Sequence, residues 1–325
     1  MHPHQLIELL ADGQLHSGTG LAARLGVTRT AVWKQLRRLE AIGVEVESVR
    51  GKGYRLAEPL DLLSRDRILN GLRATDTPLP ELILESVVES TNSVLMAHEG
   101  SADGPRACLA EQQLQGRGRR GREWVSPFAR NLYMSIGLET DAGPAAVQGV
   151  TLLAGLGAVE ALEAMGVTGL GIKWPNDIWL NGRKVAGILT ELQGSAQDEL
   201  RLVIGMGLNV YMAGDDIVID QPWTSLARES QLPEGGRNRL AAGLIDGILR
   251  SVGDLRSAPG PAFQSRWAEY DVLRGRQVSV RGSDCRGVGD GIDDAGQLRL
   301  RTPDQGVTLL NAGEVSLEVP VDSAG

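Results

Sequence analysis

Apolar positions recur with two different periods along the first 60 residues. Leu6, Leu9 and Leu10 fall on one side of a helix over residues 4–11, and Leu21, Ala22 and Leu25 mark a second helix. Ser17 is a candidate N-cap for that second helix, and Gly26 supplies the positive φ that often ends one. Thr28 caps a third helix, which runs to about Ile42 before Gly43 stops it. On a helical wheel Val32, Leu36 and Leu39 gather on one face, with Thr30, Lys34 and Arg37 opposite and Trp33 and Arg38 at the flanks. The period then changes to two. Val44–Val49 alternates as a strand, Arg50-Gly51-Lys52-Gly53 makes a tight basic turn, and Tyr54–Leu56 returns.

After a proline-containing linker at 57–61 the pattern predicts alternating elements. A helix is expected over 64–74, strands over 82–88, 107–110 and 131–136, and an apolar, glycine-dotted buried helix over 144–165. Residues 170–180 read as strand–turn–strand, with Pro175-Asn176-Asp177 as the turn. Asn181-Gly182 is a second hairpin turn, and strands follow at 183–189 and 202–210. Residues 211–223 read as a loop carrying an Ile217-Val218-Ile219 patch and Trp223. A chain of 325 residues is long enough for two or three domains.

Charge sharpens this division. The chain has 33 Lys/Arg against 41 Asp/Glu, a net charge of −8, which argues against a surface that coats nucleic acid or membrane throughout. Residues 1–60, however, hold eight cations and six acids, while the remainder is strongly acidic. A positive head on an acidic body suggests an attached nucleic-acid module. The window 28–38 has four cations and no acid. Helix, glycine turn and amphipathic second helix, followed by a basic hairpin, have the layout of a winged helix-turn-helix that enters a major groove. Its candidate DNA contacts are Thr28, Arg29, Thr30, Trp33, Lys34 and Arg37 on the helix, with Arg50 and Lys52 on the wing. The competing reading is a three-helix packing module with a solvated basic face. Two cysteines make no disulfide framework or zinc site, no apolar run spans a bilayer, and MHPHQLIELL lacks signal-peptide character. The expected compartment is the reducing cytoplasm, with no membrane partner.

The body carries the candidate chemistry. Residues 116–122, GRGRRGR, set four arginines among three glycines, suited to close backbone approach and to planar recognition of phosphate or carboxylate. They match neither a phosphate-binding P-loop nor a dinucleotide fingerprint. A basic RNA-binding segment and a surface loop remain alternatives. Ser90-Thr91-Asn92 either cap a helix or present donors and acceptors to a polar ligand ring. Lys184 stands at the entrance of a buried strand.

In their order, Ser90-Thr91-Asn92, GRGRRGREW (116–124), KWPND (173–177), KVAGIL (184–189) and GMGLNV (205–210) resemble the biotin–protein ligases. With the head in front, nearly the whole chain is similar to the bifunctional biotin ligase and biotin operon repressor type. The resemblance implies an α/β (α+β) fold in three parts: a winged helix-turn-helix over 1–60, a biotin- and ATP-binding catalytic domain over 64–271, and an SH3-like barrel over 272–320. Short strands broken by Gly/Asp turns in 272–319 suit the last.

The activity so implied joins biotin to ATP as biotinyl-5′-adenylate, then passes biotin to a lysine of the biotin carboxyl carrier protein of acetyl-CoA carboxylase. The adenylate also serves as corepressor of biotin synthesis genes. The implied catalytic residues are Lys184 and Arg119. The implied biotin site is Ser90, Thr91, Asn92, Gln113, Arg117, Gly118, Arg119, Lys184 and Gly187. ATP and adenylate fall to Arg119, Arg122, Trp124, Lys173, Asn176, Asp177, Lys184, Asn209 and Trp223, with Mg²⁺ accompanying ATP at Asp177. A homodimer forms on adenylate binding and reads a two-fold operator DNA, and a loop at 211–223 covers adenine. Gln112 stands where some relatives place an aromatic, and 211–222 matches weakly. A lipoate-type ligase and a non-catalytic ligand-sensing repressor are the alternatives.

Overall fold

The structure, a computed structural model, describes residues 3–75, 78–98, 104–140, 146–194, 200–214, 219–253, 261–281, 285–302, 306–311 and 316–318. The head consists of α1 (Pro3–Leu10), α2 (Gly18–Leu25), α3 (Arg29–Ala41) and the hairpin β1 (Val46–Val49) and β2 (Gly53–Leu56). Its boundaries follow local chemistry. Ser17 accepts from Gly20 N at the start of α2, Gly26 closes that helix at φ 64°, and Thr28 accepts from Ala31 N at the start of α3. Leu6, Leu10, Leu21, Val32, Leu36 and Leu39 are buried together. Phe128 and Ala129 from the body complete that core, and Arg130 pairs with Glu58 of the linker at 2.6 Å. The head therefore rests on the body through apolar contact as well as charge.

Beyond the linker, α4 (Arg65–Arg73) leads into β3 (Glu81–Val88), α5 (Thr91–Ala97), β4 (Arg106–Gln113), β5 (Leu132–Thr140), α6 (Ala146–Ala164), β6 (Leu170–Lys173), β7 (Asp177–Leu180), β8 (Arg183–Gln193), β9 (Leu200–Leu208), α7 (Gly236–Val252) and α8 (Pro261–Tyr270). Seven strands form one sheet in the order β3-β4-β5-β9-β8-β7-β6. The β3–β4 pair is parallel and the others are antiparallel.

Side chains alternate across this sheet, and the alternation decides where the core ends and the site begins. Ile204, Met206 and Leu208 of β9 point into the main core, with Leu132, Met134 and Ile136 of β5 and the apolar faces of α6 and α7. Their neighbours Ser135, Gly205 and Gly207 therefore face the other side, where Leu95 of α5 packs on Cys108 and Val203. Neither α7 nor α8 is among the elements expected from the sequence above. Leu240, Leu244, Ile248 and Val252 recur at helical spacing in α7 and are buried, so the 3.6-residue period is the signal that finds it.

The last region is antiparallel: β10 (Gln277–Arg281), β11 (Arg286–Ile292), β12 (Leu298–Thr302), β13 (Gly306–Leu310) and β14 (Ser316–Glu318), in the order β13-β12-β11-β10-β14. It is the SH3-like unit. Val278, Val280, Leu298 and Leu300 join the main core, and Gly296 O accepts from Trp174 Nε1 at 2.9 Å. Among the described residues no helix is long and apolar enough to cross a membrane.

A buried polar cluster ties linker to body. Arg237 and Glu111, both almost fully buried, pair at 2.7 Å. Arg237 also donates to Asn131 O and Asp61 O, and Glu111 accepts from Leu63 N. These hydrogen bonds offset part of the cost of burying the pair, and breaking one side leaves a buried charge.

Candidate active site

The face of the sheet away from α6 and α7 holds a cavity of about 760 Å³. Its wall draws on several separate stretches of chain. Ser90, Thr91 and Asn92 come from the start of α5, and Gln113, Arg117, Gly118, Arg119, Arg122 and Trp124 from the end of β4 and the loop after it. Lys173, Asn176 and Asp177 come from the β6–β7 hairpin, and Lys184 and Gly187 from β8.

The Arg/Gly loop is ordered by its own backbone. Gly118 N donates to Arg122 O and Trp124 N to Gly116 O, so the segment folds back as a closed flap. Trp124 then lies against the sheet at Gly207, where any side chain on residue 207 would occupy the same space as the indole. Gly205 admits the Asn92 amide in the same way. The glycines of GMGLNV are therefore spaced by two because both sit on the cavity face of β9.

Cations converge here. Lys184 Nζ pairs with Asp177 Oδ1 at 2.7 Å and lies 5.4 Å from the Trp124 ring centroid. Arg119 Nη1 donates to Asn176 Oδ1 at 3.4 Å. Burial lowers the Arg119 pKa, with Asp177 opposing that effect. A guanidinium held in such a place gains from an arriving anion that restores the solvation it has lost. Lys173 Nζ sits 5.1 Å from the Trp179 ring centroid. Among the described residues Trp124 Nε1 is a buried donor with no partner, so the wall presents an unmet N–H as well as charge.

The opposite end of the cavity is polar, with Arg117 as its cation and Glu191 beside it. Ser90 occupies the N-cap position of α5 yet makes no capping hydrogen bond with its side chain. Gln113 Oε1 accepts from Thr91 N at 3.0 Å, and its Nε2 reaches Ser126 Oγ at 3.4 Å. Arg117 donates to Ser93 Oγ at 3.2 Å, with Glu191 3.8 Å away. One end suited to anions and another suited to a ring of donors and acceptors can hold an acid with a polar head beside a nucleotide.

Two residues expected at the nucleotide stand elsewhere. Asn209 is off the cavity wall: its amide donates to Thr224 O at 3.0 Å and its carbonyl accepts from Asn131 at 3.4 Å. The side chain is held by structural partners and fixes the chain at both ends of the 211–223 segment. Trp223 also stands off the wall, beside Arg228 at 4.7 Å, while the backbone around it pairs with Lys184. Asp220, Gln221 and Pro222 line the cavity instead. Ile217 and Val218 of the expected adenine cover lie outside the described residues.

Ser135 and Glu191 lie behind the wall and Arg276 on it, and none of the three belongs to a motif of the sequence. A lone serine within the apolar NLYMSI strand is a detectable signal, because a buried hydroxyl needs partners.

For a divalent cation the donor set is sparse. Among the described residues no group of three or more His, Cys, Asp or Glu is placed to hold a metal. Asp177 is a hard oxygen donor in the cavity but already faces Lys184. The wall therefore fits a cation carried mainly by phosphate and water oxygens, as Mg²⁺ commonly is.

In the head, all eight candidate DNA residues are exposed. Trp33 is 50% exposed on the outer face of α3, with the Arg37 guanidinium 5.5 Å from its ring centroid. The Thr28 oxygen is engaged as the helix cap.

The Biotin/lipoate A/B protein ligase family matches residues 84–209, and an HTH domain matches residues 4–55. The chain is 41% identical over 320 residues to the bifunctional ligase/repressor BirA of Salmonella typhimurium, covering 97% of both chains. It is 40% identical to the protein of the same name from Escherichia coli, again over 97% of each. The biotin protein ligase of Aquifex aeolicus, solved in complex with biotin and ATP, superposes with a TM-score of 0.65 at 26% identity, covering 74% of this chain and all of that one.

Proposed function

The chain belongs to the Biotin/lipoate A/B protein ligase family, and on that premise we propose how its residues divide the work of a biotin–protein ligase joined to a DNA-binding repressor. The substrates are biotin and ATP. The observation that carries the assignment of residues is the convergence of Arg119, Arg122, Lys173 and Lys184 on a cavity whose far end is built from Ser90, Thr91 and Gln113.

In the first step an oxygen of the biotin carboxylate attacks the α-phosphorus of ATP, the bond to the β-phosphate oxygen breaks, and pyrophosphate leaves. Two anions must approach, so the dominant requirement is positive charge placed before they meet. Arg119 and Lys184 supply it at the reacting end, with Arg122 and Lys173 on the polyphosphate. Asp177 takes one of the three Lys184 N–H donors and aims the other two. Asp177 would reach a Mg²⁺ ion carried by the triphosphate, which would supply charge neutralisation there. In the second step the ε-amine of the carrier lysine attacks the acyl carbon of the adenylate and AMP departs. Lys184 faces the oxygen on which charge develops. The adenylate is already activated, so no enzyme nucleophile is required.

The biotin contacts are Ser90, Thr91, Asn92, Gln113, Arg117, Gly118 and Gly187, with Trp124 closing over the adenylate. Asn209 and Trp223 act by holding the two ends of the 211–223 segment. The parts correspond to 1–60, 64–271 and 272–320. The carrier is the biotin carboxyl carrier protein, the compartment is the cytoplasm, and two adenylate-loaded copies present two recognition helices to a two-fold operator. Incubating a carrier domain with this protein, ATP and biotin tests the reading by mass spectrometry. One biotinyl group added to a single lysine, with pyrophosphate released, is the expected result. Transfer of lipoate in preference to biotin would make the chain a lipoate ligase, and no pyrophosphate would leave only a ligand-sensing repressor.

A further inference from the structure

Behind the polar end of the cavity a line of hydrogen bonds runs away from the ligand space, and its direction can be deduced from the atoms at its far end. The Asn92 amide, 4% exposed, has one end 2.6 Å from Glu191 Oε2 and 3.3 Å from Leu189 O. A backbone carbonyl can only accept, so this end is the NH₂ group. The other end is then Oδ1, and it lies 2.6 Å from Ser135 Oγ. Ser135 must donate to it. A serine has one hydroxyl hydrogen, so the 2.7 Å contact between Ser135 Oγ and Thr91 Oγ1 is made with the hydrogen of Thr91. That leaves the Thr91 oxygen toward the cavity with lone pairs alone.

Thr91 Oγ1 also lies 3.2 Å from Gln113 Oε1. Were its hydrogen turned that way, one hydrogen would have to serve both Ser135 contacts, leaving two oxygens 2.6–2.7 Å apart with nothing between them. The two short contacts outweigh the long one. Gln113 Oε1 is itself fixed as an acceptor by Thr91 N at 3.0 Å. Two adjacent acceptors therefore face the same space.

We propose that Ser135, anchored through Asn92 by Glu191 and Leu189 O, is a positioning residue that sets specificity: it commits the Thr91 hydroxyl as an acceptor, so the slot selects a ring that presents an N–H there. Ser135 is fully buried and neither it nor Glu191 touches the cavity. The selected chemistry is a cyclic urea or similar N–H-bearing ring, and a ring with only ether, thioether or carbonyl atoms at that point leaves the Thr91 acceptor unmet. The proposal rests on the assignment of Thr91 and Gln113 to the biotin ring.

Calorimetric titration of the full chain tests it, using biotin and two cyclic carbamates in which one or the other ring N–H is replaced by oxygen. The native chain binds biotin at least about tenfold more tightly than one of the carbamates, as expected for an unmet buried acceptor. Ser135→Ala weakens biotin about tenfold and brings that carbamate to within about threefold of it, because the freed Thr91 hydrogen can then serve either ligand. ATP affinity is unchanged. In a Thr91→Val background Ser135→Ala adds no further loss, since its only route to the ligand is gone. Equal weakening of biotin and both carbamates by Ser135→Ala, or its full effect surviving in Thr91→Val, would overturn the proposal. Thr91→Val keeps the question answerable should Ser135→Ala fail to fold: retained discrimination against the carbamate in Thr91→Val also sinks it. A native chain that binds none of the three ligands overturns the assignment of the cavity, whereas one that binds all three equally overturns this proposal alone.

Discussion

The recognition helix and the Arg/Gly flap use the same cations in opposite surroundings. Residues 28–38 and 116–122 each carry four Lys/Arg. On α3 they stand in solvent, on the face away from Val32, Leu36 and Leu39. In the flap Arg119 is partly buried against Asn176, Asp177 is near enough to act on its ionisation, and Lys184 closes the same space from another strand. Solvated cations attract a polyanion over distance by releasing its counterions, and that attraction is weakened by salt. Desolvated cations do little at long range, but they bind an anion of the right shape strongly and are screened much less. Composition alone does not separate the two modes. Neighbouring chain segments do.

Salt separates them most sharply. Operator affinity is expected to fall about 10³-fold between roughly 50 and 200 mM salt if roughly six phosphates are neutralised, whereas biotin affinity changes less than about threefold. Filter binding and calorimetry over the same series measure both, and parallel slopes would dissolve the distinction. Next in size is Lys184→Ala, expected to slow adenylate formation about 10²- to 10³-fold by pyrophosphate release, with the fold of the head unchanged. Normal turnover would remove Lys184 from the site. Arg119→Lys keeps the charge and loses the planar donor fork. It should weaken retention of adenylate about tenfold, whereas the same exchange at solvent-exposed Arg37 should alter DNA affinity by only about two- to threefold. Smallest is Lys52→Ala on the wing, expected to weaken every DNA sequence by about three- to fivefold and to reduce the salt slope by about one. A loss confined to one operator sequence would mean that Lys52 reads bases.

The head was legible in the sequence almost residue by residue. Ser17, Gly26 and Thr28 act where they stand, because caps depend on backbone groups within four residues. What escaped was Phe128 and Ala129, which fill the head's core from about seventy residues beyond it. In the body the strands containing Cys108, Ser135 and Leu202–Leu208 were visible as apolar runs. The flap residues, the KWPND turn, Lys184 and the 90–92 segment were visible as motifs, and all reach one cavity. Helices α7 and α8 were missed although α7 carries a regular apolar stripe. Asn209 lies in a motif that borders the site, and its amide is engaged with Asn131 and Thr224.

Periodicity, caps, turns and the supply of cations can be read from residue order, because each depends on residues close along the chain. Tertiary structure alone decided which cations lose their water, which glycines admit Asn92 and Trp124, and which way the Thr91 hydroxyl points. Those properties depend on atoms brought together from segments as far apart as residues 92 and 191, where register and burial set the chemistry.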